Sequence, residues 1–516
     1  MKQKNIFIYI VLISALVWCA APHASARYYN EAQSLEIRGQ ITSKLTFKTQ
    51  DTKGWFTQPS MVPDRITPQL DAWDIIQHRN LAYIEMDYDF SKQSEHDVQL
   101  HATGRFLYDG AYEYGADALQ RVREFDAKTI DDFTRDADIW ELYANITRGP
   151  WLLRVGRQKI SWGKTDVFPM LDRIMPIDNT YGGLFESLDD RRIPLWALRT
   201  TYNLGDFGSI SSLGIDAFWE PGFVDQQFAP QSPWGTVYNF PQPSPPPYPQ
   251  VIKPDGDMDS SRWGFRLQGI LFNNLDLSLA HYRTYPNDPA LKLRIDPEIL
   301  MQGDFHGLVV EKHFKQVDIT GGSFSYFSST IEAVIRGELG YFWDEPAFDP
   351  NQNFAALAFL STGQLVESTI PEWDVLRFSL ALDKPFWIRS LNERSMFNLT
   401  IESFNEYYPD YKDSFKLPAP IWDVNKLANP DFVDVNKWEH TVIANLYTSY
   451  WSGKLTPSVL VAYNLDGAGF WEPAIEYRMD PWKFKVQYDG VFGDKDIPPG
   501  VLFDSDQVAF IATLMF

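Results

Sequence analysis

The feature that most restricts the fold is a two-residue alternation of apolar and polar side chains, repeated in segments of about ten residues. Ile84, Met86, Tyr88 and Phe90 alternate with Glu85, Asp87 and Asp89. Val98, Leu100, Ala102, Gly104, Phe106 and Tyr108 alternate with Gln99, His101, Thr103 and Arg105. Trp482, Phe484, Val486 and Tyr488 alternate with Lys483, Lys485, Gln487 and Asp489. The last segment carries Val508, Phe510, Ala512, Leu514 and Phe516 at every second position. Successive side chains of a strand point to opposite faces, so each segment is a strand with one apolar side. A soluble β-sandwich alternates too, with its apolar face inward. Such a protein rarely sets Trp, Tyr and Phe at so many strand ends, where a membrane barrel needs aromatic girdles.

The composition fits that choice. There are 18 Trp, 25 Tyr and 36 Phe, which excludes a disordered chain. The 46 Lys and Arg against 68 Asp and Glu give a net charge of −22, and nucleic-acid binding needs a basic footprint instead. Lys2 and Lys4 precede an apolar run from Ile6 to Ala21, and Ala24-Ser25-Ala26 is a small-residue cleavage signature. This reads as a signal peptide over 1–26, cut before Arg27. The single cysteine, Cys19, lies inside it, and Trp18 stands where a lipoprotein signal wants a small residue. A chain without Cys19 has no disulfide, thiolate metal site or thiol-attached haem, and no cofactor is expected. Beyond residue 26 no apolar run approaches the roughly 18 residues of a membrane-spanning helix.

Alternation places strands near 35–47, 80–90, 97–108, 137–147, 150–158, 192–203, 209–220, 261–271, 274–284, 316–326, 330–342, 371–383, 394–406, 438–451, 454–464, 470–479, 481–490 and 506–516. Eighteen is an even number, as single-chain bacterial barrels require, with sixteen as the alternative count. The expected fold is all-β, a transmembrane antiparallel β-barrel forming one domain over 27–516. Short connections near 148, 205, 273, 328, 452 and 480 alternate with long ones, which suits periplasmic turns and extracellular loops. The terminal strand closing on Phe516 resembles the signal that bacterial outer-membrane barrels present to their assembly machinery.

Turn parity fixes registers, because a one-residue slip flips every side chain. A two-residue turn at Ser452-Gly453 sets Tyr450 opposite Leu455 and Leu446 opposite Val459. A three-residue turn at Phe272-Asn273-Asn274 aligns Phe265 and Leu267 with Leu277 and Leu279, and a tight turn at Asp480-Pro481 sets Glu476 opposite Lys485. Three connecting segments stand out. Residues 241–250 are Pro-rich and read as polyproline-like surface chain. Residues 117–128 suit a short helix capped by Asp117, with Leu119, Val122 and Phe125 on one side. The apolar run 354–360 must bury itself, most simply against the lumen or rim.

Residues 150–202 carry a family signature. Gly156-Arg157-Gln158, Trp162-Gly163, Leu171-Asp172, Met175-Pro176-Ile177-Asp178 and Asp189-Asp190-Arg191-Arg192-Ile193-Pro194-Leu195 follow one another. Together they resemble the hallmark region of the proteobacterial outer-membrane family known as domain of unknown function 1302. Met175 stands where that family usually has asparagine. Arg336-Gly337-Glu338 is similar to the family's arginine–glutamate strand. The resemblance implies a porin-like outer-membrane protein of undefined substrate. Barrels of the alginate-export type share the glycine-arginine-glutamine element without the isoleucine-proline-leucine segment.

Other candidate chemistry gives way to plainer readings. Asp255-Gly256-Asp257-Met258-Asp259 has calcium-like spacing, but Ser260 and Arg266 stand where such a loop wants Gly and Glu. It reads as a solvated acidic loop. His306 and His313 flank Glu311 at a spacing that does not make a ligand pair on a helix face. Gly321-Gly322-Ser323-Phe324-Ser325 lacks the order of a nucleophile elbow and reads as strand. No catalytic constellation emerges, so no enzyme is expected.

The polar faces are more informative. With apolar residues toward lipid, Glu85, Asp87, Asp89, Arg105, Glu141, Arg154, Arg199, Asp216, Arg266, Glu332, Arg336, Glu338, Arg377, Glu402, Glu476, Arg478, Lys483 and Lys485 point into the lumen. Their signs are mixed, unlike the basic staircase of a phosphate pore. The segment 159–191 is apolar for an exposed loop, with Trp162, Phe168, Met170, Leu171, Ile174, Met175, Ile177, Tyr181, Leu184 and Phe185. It is expected to fold inward as a constriction. Asp189, Asp190, Arg191 and Arg192 are expected to pin it through Arg154, Glu141 or Arg199.

The resulting expectation is an outer-membrane channel for small hydrophobic or amphipathic molecules. The alternatives are a barrel enzyme acting on lipid or polysaccharide, and a structural barrel docking an envelope transport complex. Membrane lipid, lipopolysaccharide and the barrel assembly machinery are the expected partners, with no nucleic acid.

Overall fold

The computed structural model describes residues 28–29, 34–51, 70–92, 97–125, 127–180, 185–227, 248–256, 258–272, 274–421, 431–494, 497–502 and 505–516. The signal peptide, the proline-rich stretch 241–247, Asp257, Asn273, Tyr181 and Leu184 lie outside these residues.

Eighteen strands form the wall. They are β1 Leu35–Lys48, β2 Ile75–Asp89, β3 Asp97–Asp109, β4 Arg135–Arg148, β5 Trp151–Gln158 and β6 Leu195–Phe207. The next six are β7 Ile210–Glu220, β8 Arg262–Leu271, β9 Leu275–Thr284, β10 Val317–Ser328, β11 Ala333–Pro346 and β12 Glu372–Phe386. The last six are β13 Phe397–Tyr407, β14 Trp438–Tyr447, β15 Leu455–Asn464, β16 Ala468–Met479, β17 Trp482–Gly493 and β18 Gln507–Met515. Each pairs antiparallel with the next in chain order. β18 then pairs with β1, so these eighteen strands close into a barrel, and the two-residue strand Tyr28–Tyr29 pairs with β1 beyond the end of β18. The alternative count of sixteen is thereby excluded.

The closing ladder, Gln40–Lys48 with Gln507–Met515, continues into Phe516. Phe516 exchanges backbone hydrogen bonds with Gly39 at 2.7 and 2.9 Å. A Cβ at position 39 would meet the Phe516 ring at 2.7 Å, so glycine there makes room for the terminal aromatic.

The predicted registers hold. Leu446 pairs with Val459, Tyr450 bridges Leu455, Leu267 pairs with Leu279, and Glu476 pairs with Lys485. Outward positions such as Leu279, Leu339, Leu380, Ile475 and Val486 are exposed, as the lipid-facing half of each alternation should be. One turn differs from expectation. β6 runs on to Phe207 and the chain reverses at Gly208 and Ser209, because two register shifts around Gly205 absorb the extra residues.

The long connections are structured. Tyr248–Ile252, Ala290–Ile295 and Leu308–His313 form a three-stranded sheet at the long-loop end. The 354–360 run becomes short helical turns there, and Ala356 is buried with Leu291, Leu293, Val310 and Phe348. It therefore covers the loop sheet, which offers an apolar face nearer than the lumen. The segment after β3 folds as short helices Ala111–Tyr114, Asp117–Phe125 and Ala127–Thr134. Leu119 and Val122 are buried as the helical spacing predicts.

Candidate functional site

The segment 159–191 crosses the barrel interior. Its side chains and backbone reach β2, β7, β9, β11, β13 and β16, strands spread around the circumference, and only a path through the lumen touches all of them. Trp162, Met170, Leu171, Ile174, Met175, Ile177 and Phe185 are all buried. Each such burial contributes roughly 1.5–3 kcal/mol toward holding the segment in place.

Its first half is bound to the β7–β11 wall. The Trp162 indole donates to Asp216 at 3.0 Å, and Asp216 also receives Arg199 at 2.7 Å and Arg266 at 3.2 Å. The Trp162 ring meets Phe218 and Tyr282 edge-on. Glu338 on β11 accepts the backbone N–H of Lys164 and, at 3.0 Å, that of Leu171. Arg336 donates to the Lys164 carbonyl and pairs with Asp166 and Asp383. The Tyr282 hydroxyl donates to the Leu171 carbonyl at 2.6 Å. A Cβ at Gly321 or Gly340 would meet Leu171 at 2.6 or 2.8 Å, so paired glycines on β10 and β11 form the notch that holds this leucine. The family-like elements thus meet in space: Trp162-Gly163, Leu171-Asp172 and Arg336-Gly337-Glu338 are one anchoring unit.

The second half reaches the opposite wall. Phe168 packs edge-on against Phe404, and Phe185 against Phe470. Glu186 receives Lys44 at 2.5 Å and Arg79 at 2.6 Å, all three side chains being under a tenth exposed. Burial would raise the Glu186 pKa, but the Arg79 and Lys44 charges more than offset this and hold it below the usual carboxylate range. Asp172 goes the other way. Burial raises it above the usual range despite Arg192 and hydrogen bonds from Ser161 and the Trp162 N–H. A cavity of about 360 Å³ remains beside Glu186, between the segment and strands β1, β2 and β15–β18. The helical segment 111–134 packs against the same side of the segment: Leu119, Val122 and Ile130 share a core with Met170, Phe185, Phe404, Ile443 and Phe470.

The expected pinning by residues 189–192 is corrected. Arg192 pairs with Asp172 and Asp189, and Arg191 donates to Asn179, all within the segment. Arg199 is engaged by Asp216, and Arg154 donates to Asn145 at 2.8 Å while covering the Tyr143 ring. The arginines find nearer carboxylates, so those wall residues have no need of them. Contacts to the wall at this end run through Asp190, 3.5 Å from the Tyr83 hydroxyl, and through Lys159, 4.0 Å from Glu141. Arg105 approaches Asp178 of the segment at 3.7 Å and stacks on Trp140.

The other ladder residues pair among themselves. Arg38 bridges Glu85 and Asp87, and Asp87 also meets His101 at 2.6 Å. Asp89 accepts from Ser91. Arg377 joins Glu345 at 2.5 Å and Glu406 at 2.8 Å over the Phe342 ring. Glu402 is buried on β13 between Ile401, which is exposed outward, and Ser403. Glu476 meets Lys483 at 3.6 Å and Lys485 meets Glu472 at 3.5 Å, so the ion pairs run along diagonals of the register. Arg478 turns to Asp480. Glu332 is a turn residue with φ of 50°, outside any strand. His306 and His313 pair separately, with Asp304 and Glu311.

Sequence reading missed Lys44, Arg79 and Glu186. Lys44 sits between Ser43 and Leu45 in a segment whose inward positions Thr42, Lys44, Thr46 and Lys48 are all polar, and that alternation could have revealed it. Glu186 carried no signal, since one carboxylate in an acidic chain is unremarked until its partners are known.

Solved structures that resemble the chain are outer-membrane proteins. No curated protein matches the chain. Among solved structures, the outer-membrane protein OpdK of Pseudomonas aeruginosa superposes with a TM-score of 0.45 at 8% identity, covering 93% of this chain and 98% of its own. The outer-membrane channel DcaP of Acinetobacter baumannii gives 0.39 at 8% identity over 95% and 100%. Wzi of Escherichia coli, an outer-membrane carbohydrate-binding barrel involved in capsule assembly, gives 0.42 at 10% over 93% and 84%. A family model described as "Protein of unknown function (DUF1302)" matches residues 8–516, and the chain belongs to that family.

Proposed function

We propose that the protein is an outer-membrane channel for small amphipathic molecules, with residues 159–191 as its constriction. The single observation behind this reading is the double attachment of that segment. It is tied to Asp216 and Glu338 on one side of the lumen and to Lys44, Arg79 and Phe470 on the other. What passes must move between an apolar segment carrying Phe168, Met170 and Phe185 and a wall of mixed charges. A bare ion has no partner along the apolar side, whereas a molecule with one polar end and one apolar body matches both.

The test is conductance in planar bilayers with residues 165–186 excised. A flexible linker joins Lys164 to Ser187. The excised barrel should assemble, conduct more and lose its discrimination between apolar and charged solutes. Unchanged conductance in a correctly folded deletion would remove the segment from the pathway. The segment would then be a permanent plug, a role that its contacts with the helices of 111–134 also suit.

A further inference from the structure

We infer that Lys44 and Arg79 form a carboxylate-binding subsite of the lumen, occupied in this state by the chain's own Glu186. This deepens the channel reading and rests on it, naming the permeant class as an amphipathic monocarboxylate. Each Glu186 oxygen meets a different cation, Oε1 with Lys44 Nζ at 2.5 Å and Oε2 with Arg79 Nη2 at 2.6 Å. The two cations come from adjacent strands, directly paired across β1 and β2. The wall therefore presents them as a fixed pair, independent of the segment that supplies the acid. Their side chains are 5% and 8% exposed, and Glu186 bridges the two; Asp190 also lies near Arg79, and Glu472 near Lys44, in the lining of the same cavity.

The adjoining cavity supplies the rest of the recognition. At about 360 Å³ it lies in the range of small-molecule sites, and Phe185, Leu460 and Phe470 give it an apolar side next to the two cations. A molecule with a carboxylate at one end and a small aromatic or aliphatic body can place the charge on Lys44 and Arg79 and the body against Phe470. In doing so it takes over the contacts of Glu186 and releases the second half of the segment. A neutral molecule of the same shape competes poorly with Glu186, because it replaces two charge-assisted hydrogen bonds with weaker neutral-acceptor ones. The exchange is of non-covalent partners only: one carboxylate for another.

The test uses benzoate, with benzamide as the neutral isostere and inorganic phosphate as the other anion. Calorimetric titration of purified Glu186→Gln should show benzoate binding on the order of ten-fold or more tighter than in the parent protein, since the internal competitor has lost its charge. Benzamide should bind neither, and Lys44→Gln in the Glu186→Gln background should abolish the benzoate signal. Migration of unboiled samples on gels reports whether each variant is folded. Should Glu186→Gln fail to fold, the parent protein suffices: benzoate, but not benzamide, should raise its bilayer conductance. Absence of any benzoate effect while the 165–186 deletion conducts would overturn the subsite and leave the channel standing. No conductance from the folded deletion would instead overturn the channel. Benzoate binding that survives Lys44→Gln, or equal binding of phosphate, would also refute the assignment.

Discussion

Glu338 offers the sharpest test of how the lumen segment is held. Its carboxylate is 4% exposed and accepts two backbone N–H groups, those of Lys164 and Leu171. A hydrogen bond to a charged acceptor contributes about 1.5–3 kcal/mol, and a buried donor left unpaired costs a comparable amount. Glu338→Gln keeps the shape and one acceptor oxygen, but turns an NH₂ toward the second N–H. One of the two bonds is lost, which should lower the free energy of local opening by about 2–3 kcal/mol. Opening would become about 30- to 150-fold more frequent. Amide hydrogen exchange in detergent reads this directly. Lys164 and Leu171 should lose protection by that factor, while Leu339, in the adjacent strand ladder, should keep its own. Single-channel traces should show more frequent transitions without a change in the fully open level. Unchanged protection at both amides would refute the reasoning, since the segment would then be held by its apolar contacts alone. Loss of protection throughout β11 would refute it differently, by showing that Glu338 supports the wall.

The register between β16 and β17 places Glu476 opposite Lys485 and Ile475 opposite Val486; cysteines at 476 and 485 should therefore cross-link within one chain, whereas 475 with 485 should not, and the reverse pattern would mean a one-residue slip. Val486 is exposed on the outward face, so Val486→Lys should destabilise the folded barrel by about 2–4 kcal/mol in urea titrations from lipid vesicles, and a change near zero would contradict its lipid-facing position. The depressed pKa of Glu186 means that its contribution is fully present above the unfolded value near ~4.3 and is lost only as pH falls through the lower folded value. Conductance should accordingly stay flat from pH 8 to about pH 5 and rise only in stronger acid; a rise already between pH 7 and 6 would show that Glu186 is not the titrating latch.

What the sequence determined by itself is the wall. Strand identity, register and closure follow from a two-residue period and from turn lengths, both of which are local. The pairing of Leu446 with Val459 could be counted from Ser452-Gly453 alone. The inward fold of 159–191 had a local signal too, an apolar content too high for an exposed loop, although the 354–360 run carried the same signal and was covered by the loop sheet instead. The anchoring had none. Lys164 and Glu338 are 174 residues apart, Lys44 and Glu186 are 142 apart, and Trp162 and Asp216 are 54 apart. Nothing in a linear pattern says which of many carboxylates will meet which cation, since charge complementarity is satisfied equally well by any of them. Arg192 shows how such a guess fails: it turned to Asp172, twenty residues away in its own segment, rather than to the wall. The helices of 111–134 were similar, with an apolar side visible in the sequence and its destination decided only by the lumen that β13–β16 opened to it. Closing the barrel fixed the distances between groups far apart in the chain, and those distances chose the partners.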